Sequence, residues 1–300
     1  MRAIKSGGGP STVTILAVSL IFVFLWSSGH ITSKLGLPDI EPFLFLAIRF
    51  FLSAILLCII AVLMRTSWPT NRRQISHIVI AGLLMHAGYL GGVFVAIDLG
   101  LAAGALAVIT GIQPILTGVV VGPVLKEPVT WRQWVGLTLG FAGVAMVVWE
   151  KATFEGTPLS AFAAAFVCLF AITVGTLYQK KYCGDHYDIR SMNALQLGVS
   201  AIVCGLISLI FETGAINWTG KLIFAISWQV IMLSAIAYAL FYWLLRRGQA
   251  IRVTSLFYLM PPTTAIMGYF LFGEKFGILG LAGLLTAMTG FWVVYFFKRD

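Results

Sequence analysis

Residues 110–143 read TGIQPILTGVVVGPVLKEPVTWRQWVGLTLGFAG, and residues 257–290 read FYLMPPTTAIMGYFLFGEKFGILGLAGLLTAMTG. Laid over each other at an offset of 147, they match Pro114 with Pro261, Glu127 with Glu274, Gly136 with Gly283 and Gly143 with Gly290. The register continues outward. Ser53-Ala54-Ile55 returns as Ser200-Ala201-Ile202 at the same offset, and at 146 Gly29 and Lys34 fall on Gly175 and Lys180. The chain reads as two copies of one unit.

Each copy is built for lipid. The hydrophobic fraction is 59%, the charged fraction 10% and the mean hydropathy +0.95. A soluble domain of this length has no interior able to hide so many long apolar runs, whereas a bilayer core accepts helices of roughly 20 apolar residues. Strand alternation is absent, so backbone satisfaction in lipid requires helices. Breaks at charged and Pro/Gly-rich positions place spans at 13–34, 42–64, 75–98, 101–123 and 131–149, then at 157–179, 191–211, 222–245, 250–272 and 277–297. Five spans per copy is an odd number, which turns the second copy upside down. The expected fold is an all-α polytopic membrane protein with ten transmembrane helices as two inverted five-helix repeats. Its parts are a cytoplasmic N-terminal tail 1–12, repeats 13–149 and 150–297, and a cytoplasmic tail 298–300.

The net charge of +9 serves orientation. With ten spans, fifteen of the twenty Lys and Arg residues fall on the side shared by the termini, among them Arg72, Arg73, Lys126, Lys180, Lys181, Arg246 and Arg247. Loops rich in such residues stay cytoplasmic. Both termini are therefore expected inside a cell (inner) membrane, and no nucleic-acid partner is implied. No small-residue cleavage pattern follows the first apolar run, so it reads as a retained helix. The four cysteines show no metal or disulfide spacing, and no cofactor or metal is expected.

Arg49 with Ser53-Ala54, the early Trp26-Ser27-Ser28-Gly29 and the two Pro…Glu…Gly…Gly blocks resemble the EamA-type branch of the drug/metabolite transporter superfamily. The resemblance covers roughly residues 13–297. It implies a ten-helix inner-membrane carrier, and relatives that export amino acids or other small metabolites. One position departs from symmetry: Arg49 is answered by Gln196.

Pro114 and Pro261 fall near the middle of spans four and nine, with Pro262 deepening the second break. A proline there crowds the carbonyl four residues back, at Thr110 and Phe257. Lipid penalises such loose carbonyls, so both breaks are expected to face protein or a water-filled cavity, as hinges of a midplane site or as packing kinks. Glu127, expected on the cytoplasmic side, and Glu274, expected outside, end the same helices. They read as gate latches or proton acceptors, or as caps of the following helix.

Ionisable groups at membrane depth carry a functional expectation. His30 and Arg49 lie in the outer third of spans one and two, and His86 lies mid-span. His30 and His86 suit proton relay, or plain donation to a neighbouring helix. Arg49 suits a substrate carboxylate, a pairing with Asp98, or snorkelling outward. Trp26 shares a face with His30, and Tyr89 with His86. Gln113, Tyr238 and Tyr258 complete the expected substrate pathway with Thr110, while Tyr242 and Trp243 read as an interfacial belt. Gly136, Gly140, Gly143, Gly280, Gly283 and Gly290 mark spans five and ten as close-packed scaffold, or as the seam of a homodimer. The function expected is secondary transport of a small-molecule substrate through the lipid bilayer by alternating access, with proton coupling open. A membrane-embedded enzyme on lipid-like substrates and a channel are the competing classes. No phosphate-cradling loop points to ATP.

Overall fold

The computed structural model describes residues 11–101, 103–149, 157–184, 187–272 and 277–296. Its described residues form helical rods and no strand, apart from an isolated bridge between Ile40 and Ile216. The rods are α1 (Thr12–Gly36), α2 (Pro42–Leu63), α3 (Arg72–Asp98), α4 (Ala103–Thr110 and Gln113–Leu125) and α5 (Trp131–Trp149). They continue as α6 (Leu159–Cys183), α7 (Ile189–Phe211), α8 (Gly220–Arg247), α9 (Ala250–Ser255, a 3-10 turn Leu256–Leu259, then Met260–Phe272) and α10 (Ile278–Phe296).

Among the described residues, eight rods are long and apolar enough to cross a membrane, where ten were expected. The two outside that set are α5 and α9. The first opens on the polar Trp131-Arg132-Gln133-Trp134, and the second is interrupted at its 3-10 turn and prolines. The outer faces match lipid: Phe51, Ile55, Ile59 and Val62 on α2, and Ile202, Leu206 and Leu209 on α7, are exposed at helical spacing. The chain is a multi-pass membrane protein.

Local chemistry sets the ends of the rods. Ser11, Asn71, Asp188 and Thr219 accept from first-turn amides of α1, α3, α7 and α8. Thr130 and Gln133 form a reciprocal capping box at the start of α5. The tight α3–α4 junction stands where the sequence places it. Gly100 takes φ +91, and Leu101 N–H closes on the carbonyl of Ala96 at 2.9 Å, satisfying the end of α3.

The packing is reciprocal. Rod α2 lies along α7 and α5 along α10; α3 and α4 both pack on α6, and α8 and α9 both pack on α1. The α5–α10 seam rests on glycine. Gly136 faces the carbonyl of Gly290, and Gly143 faces that of Gly283, so the two rods run antiparallel at backbone contact. These glycines are used within one chain, at the α5–α10 contact.

Candidate functional site

Between α1, α2, α3, α4, α8 and α9 lies a cavity of about 1260 Å³. The lining residues of Lys34–Glu41, of Ala215–Asn217 and at Asp98, several of them exposed, form its mouth. The two loops are strapped together. Glu41 accepts from the amides of Thr213 (3.1 Å) and Gly214 (2.8 Å), which hold its carboxyl below the usual range. Glu212 in turn accepts from the amides of Phe43 and Leu44, the free donors at the start of α2. Asp39 accepts from Asn217 and Thr219.

Aromatic rings form the inner wall. Trp26 lies 4.8 Å from Tyr238, 5.6 Å from Phe257 and 6.4 Å from Tyr89, measured between ring centroids. At the blind end sits Arg49, 2% exposed. Its Nε donates to Ser234 Oγ at 3.1 Å and its Nη1 to Gln229 Oε1 at 2.7 Å. Gln229 is turned that way because its Nε2 donates to the hydroxyls of Thr32 and Ser33. The arginine therefore neither pairs with Asp98 nor snorkels outward. A buried cation is held by neutral oxygen dipoles, with no carboxylate bonded to it among the described residues.

Two widened turns frame this end. Leu83–Gly88 of α3 and Gln229–Ala237 of α8 are π-helical, at matching places under the 147-residue offset. Such segments are rare and concentrate at functional sites. The first carries His86, and Tyr238 Oη donates to its Met85 carbonyl at 3.0 Å. The second carries the Arg49 partners Gln229 and Ser234. Below Tyr238 a polar network continues away from the cavity. Asn193 donates to the Ser234 carbonyl, Tyr242 Oη donates to Gln196 Oε1 at 2.7 Å and lies 3.4 Å from His86 Nε2, and Gln196 donates to Gln179 at 2.8 Å.

Of the residues expected on the pathway, Trp26, His30, Arg49, Tyr89, Thr110, Gln113 and Tyr238 line the cavity. His86 does not; it is fully buried behind Tyr238 in the network. Tyr258 does not either. It packs on Gly140 in the α5–α9–α10 cluster, because the 3-10 turn at Leu256–Leu259 rotates its face away from the cavity. Pro261 lines the cavity with Met260 and Phe257, while Pro114 and Pro262 lie behind the wall. Tyr242 is 1% exposed and belongs to the polar network, so it forms no lipid belt. Gln229, Ser234 and Phe257 were missed. The only signal for the first two was a polar residue inside an apolar span.

The end opposite the mouth is shut. Lys126 adopts a left-handed conformation (φ +57) that ends α4 and turns Glu127 across to the other half of the chain. Glu127 Oε1 pairs with Lys180 at 2.6 Å, and Oε2 accepts from the amide of Ala250 at 2.8 Å. Lys180 also donates to the Gly248 carbonyl. Glu127 therefore caps α9, where the sequence reading had it cap the following helix, a role the Thr130–Gln133 box fills. Glu274, Lys275, residues 1–10 of the N-terminal tail and the C-terminal tail lie outside the described residues.

A multi-pass helical bundle around a blind cavity, aromatic-walled with a cation at its end, is the architecture of a small-molecule transporter. The profile of the EamA-like transporter family matches residues 13–149 and again 159–296. The chain belongs to that family, which places it among transporters rather than enzymes. YvbV, an uncharacterized transporter of Bacillus subtilis, is 28% identical over 95% of this chain and 92% of its own length. The probable amino-acid metabolite efflux pump of Salmonella typhimurium is 23% identical, over 93% and 94%. The S-adenosylmethionine/S-adenosylhomocysteine transporter of Chlamydia trachomatis is 29% identical, over 90% and 87%. A crystal structure superposes with a TM-score of 0.81 at 15% identity, over 95% of this chain and 98% of that one, a likeness of fold alone.

Proposed function

We propose that the protein is a secondary carrier that exports small organic metabolites, such as amino acids, across the inner membrane by alternating access. The observation that carries this reading is the contrast between the two ends of one passage. A cavity reaches inward from one end to Arg49, and the other end is closed by Glu127, Lys180 and the start of α9. In a pump driven by gradients, one such passage opens alternately to each side around a fixed site.

The proposed layout is ten spans in two inverted repeats, 13–149 and 150–297, with both termini in the cytoplasm. Reciprocal packing, the antiparallel α5–α10 seam, the paired π-helical turns and the twofold family match support it. With that orientation the cavity opens outward and the Glu127 latch is cytoplasmic, which is the releasing state of an exporter. The helix breaks at Gly111–Ile112 and at Leu256–Leu259 flank the cavity and serve as its hinges. Any proton branch would run through His30 at the cavity wall and His86 beneath it.

The test is flux of a metabolite panel in proteoliposomes, with and without a pH gradient. Saturable, counterflow-competent movement supports a carrier, and stimulation by the gradient supports the proton branch. Non-saturable flux would instead indicate a channel. Labelling that placed Lys126 and Lys275 on one membrane surface would remove the inverted layout.

A further inference from the structure

We infer that the cargo is recognised as an organic carboxylate with a flat apolar body, and that an amino group on it is dispensable. The inference rests on the carrier reading and deepens it.

Three observations meet in this one cavity. Arg49 is a desolvated cation whose bonds are to a serine hydroxyl and an amide oxygen. Neutral dipoles offset a buried charge less well than an anion does, so the site gains most from a ligand that brings the anion. Gln113, which lines the same cavity and is 1% exposed, has a buried Nε2 donor with no partner. An unmade donor of that kind is costly to leave empty and is met by a ligand acceptor. The third observation concerns acids. Among the described residues the cavity is lined by Asp39, Glu41 and Asp98, and none of them bonds to Arg49 or Gln113. Asp39 and Glu41 sit at the mouth, where they strap the loops, and Asp98 is exposed at the last residue of α3. No described carboxylate waits beside the aromatic wall to receive an ammonium group.

The wall itself selects shape. Trp26, Tyr89, Tyr238 and Phe257 present ring faces and edges to the cavity that Arg49 also lines, apt for a planar or aromatic body. A zwitterion would fit through its carboxylate, its amine staying in cavity water. An amine without the acid would meet an uncompensated guanidinium.

Four isosteres test this on the purified full-length chain in detergent and in liposomes: 3-phenylpropionate, phenylalanine, 3-phenylpropanamide and 2-phenylethylamine. Calorimetry should show 3-phenylpropionate binding at least as tightly as phenylalanine. The amide and the amine should be weaker by about thirtyfold or more, the loss of a charge-assisted contact. Gln113→Leu breaks no internal bond, so it should keep the wild-type melting temperature while weakening 3-phenylpropionate about fivefold. Arg49→Lys should weaken it about tenfold through the lost fork geometry.

Amide or amine binding equal to the acid would overturn the inference. So would phenylalanine binding more than tenfold tighter than 3-phenylpropionate, or no saturable binding of any of the four. Acid-selective binding without flux leaves the carboxylate seat standing and removes the carrier. Flux of the amine or amide does the reverse.

Discussion

Beside the cavity Arg49 of α2 faces Gln229 of α8; towards the closed end the residues in the same register are Gln196 of α7 and Gly82 of α3. In the first pair two long side chains meet in a 2.7 Å hydrogen bond, and both line the cavity. In the second, glycine lets α7 settle on the backbone of α3, so that a methyl group at Gly82 would lie 2.7 Å from the Cα of Gln196. Ser200 Oγ seals the contact by donating to the Gly82 carbonyl at 3.1 Å. Under the 147-residue offset the two crossings thus differ in both of the residues that meet there. The asymmetry visible in the sequence at Arg49 and Gln196 is half of that difference, and Gln229 and Gly82 are the other half.

The largest way to break the comparison is to give the shut end a side chain. Gly82→Val puts its Cβ into the backbone of α7, and overpacking of this kind costs about 1–3 kcal/mol. The expected result is a melting temperature several degrees lower, with increased labelling of a cysteine placed at Gln179 from the side of the latch. Unchanged stability would mean that the close approach is not a constraint. The equivalent change beside the cavity, Gln229→Val, should leave the closed end unlabelled and abolish flux instead.

Second is the network that fills the shut end. Gln196→Leu keeps the volume but strands the Tyr242 hydroxyl and the Gln179 amide oxygen, both buried. An unmade buried hydrogen bond costs about 1–3 kcal/mol, and the loss should appear in denaturation of the purified chain. Double replacement of Gln196 and Tyr242 by Leu and Phe should recover part of it. Strict additivity would show that the two do not act as one network.

Glu127→Gln ranks third and separates a latch from a cap. The amide oxygen still accepts from Ala250 N–H, while the ion pair to Lys180 is lost. Both side chains are partly exposed, so the stability change should stay near about 0.5 kcal/mol. Transport should respond more strongly, because the shut end would open more readily. A collapse of stability with no change in residual flux would make Glu127 a structural cap only.

How far the sequence carried these conclusions depends on the kind of interaction. Eight of the ten expected spans were legible as long apolar runs, and Gly100 was legible because only glycine tolerates that φ cheaply. Arg49 stood out as a charge at membrane depth. Its partners did not, since Gln229 and Ser234 acquire their meaning only when α8 crosses α2, 180 and 185 residues away in the chain. The π-helical turns have no sequence signature of their own; one of them is held by a hydroxyl from Tyr238 on another rod. Tyr258 was expected on the pathway from its depth alone, and depth does not tell which face a residue takes where the chain makes a 3-10 turn.

The smallest expected effect is at the mouth, and its pH dependence distinguishes a strap from a gate. Amides of Thr213 and Gly214 depress the Glu41 carboxyl, so its contribution to stability is fully present above the unperturbed value near about 4.3 and fades as pH falls through the lowered one. Asp188, held down by its bonds with Arg190, acts in the same window at the start of α7. Comparing wild type with Glu41→Gln from about pH 3 to about pH 8 isolates the first group. The difference in melting temperature should be constant at neutral pH and shrink towards zero in acid. Flux at neutral pH should differ little between the two, since this strap joins α2 and α7 through their loops and leaves the Arg49 end untouched. A large loss of neutral-pH flux in Glu41→Gln would instead make the mouth loops part of the moving machinery, and the two ends of the passage would then be more alike than their crossings suggest.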